Sequence, residues 1–164
     1  MLLYVPGEKD PVEDLYDRYA ATLYRLALSV LKNREDAEDA VQSVFEKYVL
    51  QPHLFLTLEH EKAWMLRVTM NVCKDALRRR SVRQAASLDE VAEIGVWDNH
   101  SEVLDVLHRL PEEYRVPLIL YHFEECKVEE IAKALAVGTS AVKMRLKRGR
   151  EMLKKELEGG ETHA

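Results

Sequence analysis

The sequence predicts an all-α protein: two small helical domains, residues 10–83 and 101–158, joined by an acidic linker over 84–100, the second domain containing a helix-turn-helix. Three observations predict it. Apolar residues recur at spacings of three and four through almost the whole chain, and no long stretch alternates with the period of two that a half-buried strand needs. Residues 84–100 hold Asp89, Glu90, Glu93 and Asp98, with Gly95 and no Lys or Arg, a change of character that divides the chain. Residues 128–155 read as a short helix, a glycine-containing turn and a second helix that is basic on one face.

In the first domain, residues 13–31 place Leu15, Tyr19, Leu23, Leu26, Ala27 and Val30 on one side of a helix. Asn33 is positioned to cap a second helix, with Glu35 and Asp36 in its first turn, where negative charge complements the helix dipole. That helix is expected to run to about Val49, with Ala37, Ala40, Val41, Val44, Phe45 and Tyr48 on its inner face, and Pro52 marks its end. Residues 51–60 read as a loop, and a third helix is expected from Glu61 to Arg80. Trp64, at helical spacing, is expected to be core rather than a stacking platform. In the linker, Leu88, Val91 and Ile94 can also form a short helical turn.

The second domain opens with a helix over Ser101–His108. Leu110-Pro111-Glu112-Glu113 reads as a break and a new N-terminus, with proline in the first turn. Pro117 lies six residues on, so the next helix either keeps it in an early turn or kinks there. Val128, Ile131, Ala132 and Leu135 form the inner edge of the short helix that follows. Gly138 is expected to supply a positive φ in the turn, and Thr139 or Ser140 to cap the last helix. On that helix Val142, Leu146, Gly149 and Leu153 make an apolar seam, leaving Ser140, Lys143, Met144, Lys147 and Arg148 on the opposite face. Such a helix can set Lys and Arg near its start and middle against base edges, and those further along, such as Arg150 and Lys154, against phosphates. The same pattern fits a surface helical hairpin with a charged outer face. The tail, 159–164, is expected to fray.

The net charge is −5, which at first argues against a nucleic-acid partner. Its distribution reverses that. Residues 66–83 carry six Lys and Arg against Asp75 alone, and residues 139–155 carry seven against Glu151 alone. Phosphate binding depends on local positive potential rather than on the total, although charge runs are also the usual make-up of solvated helix faces. Only Cys73 and Cys126 are present, too few for a disulfide framework and in keeping with a reducing cytoplasm. No apolar run reaches the roughly 18 to 20 residues of a membrane span, and Met1 to Pro6 do not look like a secretory signal. His122 and Cys126, four apart, could share a helix face as metal ligands, but no second ligand pair accompanies them, so no metal or other cofactor is expected. No Walker loop, dinucleotide fingerprint or nucleophile elbow occurs, and catalysis is not expected.

Taken together, these residues resemble a known family. Ile131-Ala132-Lys133-Ala134-Leu135, the turn, and Val142-Lys143-Met144-Arg145-Leu146-Lys147-Arg148-Gly149-Arg150 are similar to the C-terminal domain of extracytoplasmic-function (ECF) sigma factors, and Leu107 to Arg115 resemble its entry. Leu23 to Ala27, Asp36 to Phe45, Ala63 to Val68, Asn71 and Leu77 to Arg80 resemble the three helices of the family's other domain, in the right order and at the right separation.

The resemblance implies a sigma factor that binds core RNA polymerase and directs promoter-specific initiation. Glu38, Asp39, Gln42, Ser43 and Glu46 would dock on the clamp helices of the β′ subunit, and the C-terminal domain would sit at the β flap. Arg67, Asn71, Lys74 and Arg78 would contact the −10 element, captured as melted single strand with a flipped base held by the loop near Leu56 to Lys62. Ser140, Lys143, Met144, Lys147, Arg148 and Arg150 would contact the −35 element. The linker would thread into the polymerase channels, or serve as a plain tether, and an anti-sigma protein would be a further partner. Two other readings stay open on the residues alone: a conventional helix-turn-helix regulator with a sensing or dimerising N-terminal half, and a helical adaptor that binds only protein.

Overall fold

The chain is described here from a computed structural model, which covers residues 9–51, 55–86 and 102–161. Asp10 starts the first helix, α1 (Pro11–Leu31). Its carboxylate accepts the Val12 N–H at 2.8 Å, and Pro11 fits the first turn because its missing N–H would have had no helical partner. The helix ends at Lys32, which adopts the left-handed conformation (φ 54°). Asn33 caps α2 (Arg34–Leu50) as the sequence predicts, its side chain accepting from the Asp36 N–H at 3.0 Å.

The third helix, α3 (Leu58–Ala86), is longer at both ends than the expected Glu61–Arg80. It starts early because Thr57 caps it, the Thr57 hydroxyl accepting the His60 N–H at 3.1 Å. An apolar-periodicity reading misses that start, since Leu58 is 69% exposed and joins no inner face. Beyond Arg80 it continues past residue 83, where the linker was expected to begin. Residues 87–101, including the acidic segment and its expected helical turn, lie outside the described residues.

Helices α1, α2 and α3 pack on one another around Leu23, Leu26, Ala27, Ala37, Val44, Met65, Leu66 and Cys73, all fully buried. Trp64 is half-buried in a cluster with Tyr48 and Phe55, ring centroids about 6 Å apart, which agrees with a packing role.

The second half comprises α4 (Glu102–Arg109), α5 (Glu112–His122), α6 (Val128–Leu135) and α7 (Thr139–Glu161). Pro111 sits at the N-cap of α5 rather than inside it, and Pro117 is carried in an early turn of an unbroken α5. The turn between α6 and α7 differs from expectation in its chemistry. Ala136, not Gly138, takes the left-handed conformation (φ 55°, ψ 46°) that ends α6. Gly138 instead precedes α7, its carbonyl accepting the Val142 N–H at 3.1 Å, so Thr139 and Ser140 fall within the first turn. The α7 helix also runs to Glu161, through residues expected to fray.

The expected seam on α7 forms. Val142 and Leu146 are buried, Gly149 is buried, and Leu153 is half-buried. At Gly149 α7 lies close against α5: a Cβ built there would lie 2.9 Å from Leu118 Cδ1 and 3.2 Å from its Cγ. Leu118 is itself buried and has little room to retreat.

The two halves pack directly on each other, α5 against the end of α1 and α6 against α3. The last two turns of α1, Leu26 to Leu31, are therefore buried on every side, which a single apolar stripe did not foretell. Backbone groups are satisfied across this contact. Buried Arg115 donates from Nε to the Ser29 carbonyl (2.8 Å) and from Nη1 to the Leu110 carbonyl (2.6 Å), while Lys32 Nζ donates to the His108 carbonyl (3.0 Å). His108 is buried beside these cations. Burial first, then the positive charges of Arg115 and Lys32, push its imidazole down to about 4.

Two predictions follow from the packing. Gly149→Val should destabilise the chain by about 1–3 kcal/mol through overpacking, whereas Gly138→Ala, with nothing within 4 Å of its added Cβ, should change stability by less than about 1 kcal/mol; urea unfolding of the two variants measures both. His108 is neutral in the native state while the unfolded state takes up a proton near the ordinary value of 6.5. Its contribution is thus complete above that pH and is lost as pH falls from about 6.5 to about 4, by up to about 3 kcal/mol. His108→Leu should flatten this part of the stability profile and leave the carboxylate-driven part at lower pH.

Candidate nucleic-acid and partner interfaces

The seam that buries Val142 and Leu146 turns the other side of α7 to solvent. Ser140, Lys143, Met144, Lys147 and Arg148 are all exposed there. Lys143, Lys147 and Arg148 form no ion pair with any described residue, so their charge is available to an outside partner. Two neighbouring cations are not on this face. Arg145 is half-turned inward toward Glu113, at 3.8 Å. Arg150 lies back against α5, its guanidinium 5.4 Å from the Tyr121 ring centroid and its Nε donating to His122 Nε2 at 3.3 Å. Burial and this guanidinium lower the His122 pKa.

On α3, Asn71, Lys74 and Arg78 are exposed along one stripe, and Arg67 is half-buried at its start. Arg78 meets Asp75 at 3.2 Å, but both side chains are mostly exposed and such a pair constrains little. The consecutive arginines have separate tasks. Arg80 is diverted inward, bonding the Asp36 carboxylate and the Leu31 carbonyl. Arg78, Arg79 and Arg83 remain at a groove of about 870 Å³ between α2 and α3, with Ser43, Lys47, Val72, Asp75 and Val82 on its walls.

The five α2 residues do not share one face. Glu38, Gln42 and Glu46, four apart, flank a groove of about 960 Å³ between α1 and α2, whose floor and rim include Tyr16, Tyr24, Phe45 and Val49. Asp39 and Ser43 lie on the α3 side of the helix, near Arg79 and Arg83. Tyr16 and Val49, both more than half exposed, were missed by the sequence reading. Their signal was available: large apolar side chains that fall outside the inner stripe of their own helices.

His122 and Cys126 do not share a helix face, because α5 ends at His122 and Cys126 lies in the turn that follows. No group of three potential ligands is placed to hold a metal ion among the described residues. Burial raises the Cys73 thiol to about 12 and the Cys126 thiol to about 11. No described helix is long and apolar enough to cross a membrane.

Comparison with known proteins decides what this arrangement belongs to. Residues 15–83 match the family described as Sigma-70 region 2, and residues 100–153 match Sigma-70, region 4. The RNA polymerase sigma factor SigV of Bacillus subtilis is 32% identical, with 82% of this chain and 83% of that protein aligned. The chain belongs to the ECF group of the sigma-70 family. The ECF sigma factor SigW of the same bacterium is 27% identical over 92% of this chain and 91% of its own length, and ECF SigM of Mycobacterium tuberculosis is 28% identical over 92% and 79%. The fold is that of the sigma factor RpoE from Bartonella quintana, solved with the anti-sigma factor NepR (TM-score 0.72, 20% identity, 89% of this chain and 96% of that one). It is also that of CnrH, solved with the cytosolic domain of CnrY (TM-score 0.64, 21% identity, 93% and 91%). As an ECF sigma factor the chain acts with RNA polymerase and promoter DNA in promoter-specific initiation, in a family of initiation factors rather than enzymes.

The buried thiols of this sigma factor give a direct check on the packing. Cys73 and Cys126 should both be silent to Ellman's reagent in the native chain, and both should react in denaturing urea. Fast labelling of Cys126 in the native chain would mean that the contact between the two halves is open.

Proposed function

We propose that the labour of initiation divides among three surfaces of this chain. Helix α7 reads the −35 duplex through Ser140, Lys143, Met144, Lys147 and Arg148. Helix α3 holds the −10 strand through Arg67, Asn71, Lys74 and Arg78. Helix α2 and the groove it forms with α1 dock on the β′ clamp helices, with the C-terminal domain at the β flap. The domain limits proposed for these roles are 10–83 and 101–158.

The observation that carries this reading is a pair of exposed basic faces on separate helices, set beside a groove-bearing helix in which acidic residues outnumber basic ones. Lys and Arg on α7 can bond guanine edges and phosphates, and Asn71 offers a donor and an acceptor to an unpaired base. Arg150, bound to Tyr121 and His122, is better suited to a phosphate at the edge of the site than to a base. On the polymerase side, Glu38, Gln42 and Glu46 supply a polar rim to an apolar groove, the composition of a protein-docking site. Asp39 and Ser43, on the other side of α2, would touch a partner that straddles the helix.

The phosphodiester chemistry belongs to the core enzyme, and the place of action is the cytoplasm. The two structural neighbours were solved with the anti-sigma factor NepR and with the cytosolic domain of CnrY. A protein of the anti-sigma kind is proposed as a further partner here.

Transcription from a promoter carrying both elements, with core polymerase and with or without this chain, tests the assignment. Arg148→Ala or Lys147→Ala should lower −35-dependent transcription by about 10- to 100-fold, the loss expected of a base contact worth about 1–3 kcal/mol, and leave affinity for core unchanged. Gln42→Arg or Asp39→Arg should do the reverse. Equal loss of core affinity in both sets would contradict the division.

A further inference from the structure

We propose that Tyr121 and His122, at the end of α5, are positioning residues that hold the Arg150 guanidinium as a preset fork for one backbone phosphate beside the −35 element; the proposal rests on the assignment of α7 to that element. Neither residue lies on the two helices of the helix-turn-helix. Both act through Arg150.

Arg150 stands at the boundary of the DNA-facing side of α7. Lys143 and Lys147 precede it at spacings of four and three, so the three share one edge of the helix. Leu146, four residues back, is buried. A long side chain at such a boundary has many conformations in water, and ordering it on a ligand lowers affinity.

Here the order exists before DNA arrives. Arg150 Nε donates to His122 Nε2 at 3.3 Å, and the guanidinium carbon lies 5.4 Å from the Tyr121 ring centroid. The Tyr121 and His122 rings meet edge to face with centroids 5.0 Å apart, so each steadies the other. The guanidinium is thus held by one face and by Nε, while both Nη groups keep their N–H donors. Arg150 pairs with no carboxylate among the described residues. Two Nη groups in a fixed plane match two oxygens of a phosphate. All three side chains are exposed, so a duplex on the Lys143 and Lys147 side can reach the fork.

The histidine suits this task only while uncharged, because a protonated ring offers donors alone and would repel the guanidinium. Burial first, then the Arg150 charge, lower its pKa, which keeps Nε2 an acceptor at neutral pH. A guanidinium tied to two rings cannot swing to follow base edges. A phosphate, whose position is the same for every base, is the partner such a fixed group can serve.

The test uses the chain with core polymerase and a fluorescent promoter duplex carrying both elements. Arg150→Ala should weaken binding about tenfold and reduce the slope of log affinity against log salt by about 0.9, the loss of one phosphate contact. Tyr121→Ala and His122→Ala should each weaken binding about threefold in the parent, but less than about 1.5-fold once Arg150 is alanine. Tyr121→Phe, which keeps the ring face, and His122→Gln, which keeps an acceptor, should bring affinity back to within about 1.5-fold of the parent. A second measurement uses the parent chain unaltered. When the phosphates flanking the −35 element are replaced one at a time by neutral methylphosphonates, one position should weaken the parent about tenfold and leave Arg150→Ala unchanged. Equal losses from Tyr121→Ala and His122→Ala with and without Arg150, or no methylphosphonate position that separates the parent from Arg150→Ala, would overturn the proposal. The second of these results is the one expected if the fork serves a carboxylate of a protein partner. If scrambling the −35 sequence leaves binding by the parent unchanged, the assignment of α7 fails instead, and the two failures are distinct.

Discussion

The last turn of α1 has no basic residue of its own, so its carbonyl groups depend on cations brought from elsewhere in the chain. A helix end leaves its last carbonyls without helical partners, and burying them unpaired is costly. Here Arg115 from α5 takes the Ser29 carbonyl and Arg80 from α3 takes the Leu31 carbonyl. Lys32, at the left-handed residue that ends α1, closes the exchange by donating to the His108 carbonyl near the end of α4. One helix terminus thus ties three other elements together. These bonds have charged donors, worth roughly 1.5–3 kcal/mol each, and lie where little water competes for them. Burying these groups has a cost, visible in the lowered Arg115, Lys32 and His108 pKa values, whose first cause is burial, with neighbouring cations adding to it for Lys32 and His108. Two features keep that cost tolerable: His108 stays neutral, and the carbonyl end of a helix carries partial negative charge.

This junction determines how the functional surfaces face outward. With the end of α1 buried on all sides, α5 is fixed against it, and the α6–α7 unit is carried onto α3. The basic side of α7 and the polar stripe of α3 are then left to solvent, while Arg80 is turned inward to serve the junction. An acidic chain of net charge −5 can thus present two local cationic faces, because many of its carboxylates are spent against cations elsewhere in the fold.

Much of the architecture was legible in the sequence because helices depend on local chemistry. The Asn33 cap, the inner faces of α1 and α2, and the Val142, Leu146, Gly149 seam all follow from spacing. What spacing cannot show is which residue satisfies a turn. The left-handed position went to Ala136 although Gly138 stood two residues away, because the α6 C-cap needs it one residue past Leu135. The resemblance implies one docking role for five α2 residues, but steps of four and one around a helix divide them between two grooves. The junction itself left two overlooked signs. Leu28 and Leu31 add apolar surface outside the main stripe of α1, and Arg115 stands beside the apolar run Val116 to Leu120. Both imply a second packing partner for α1. Neither says which, because the partners of Arg115 are backbone carbonyls, invisible to any reading of side-chain pattern.

The end of α1 makes one cooperative unit of the two halves. Differential scanning calorimetry of the free chain tests it most directly. A single transition is predicted, with calorimetric and van't Hoff enthalpies equal, and Arg115→Met should split it into two. Two separate transitions in the parent chain, unchanged by Arg115→Met, would contradict the claim.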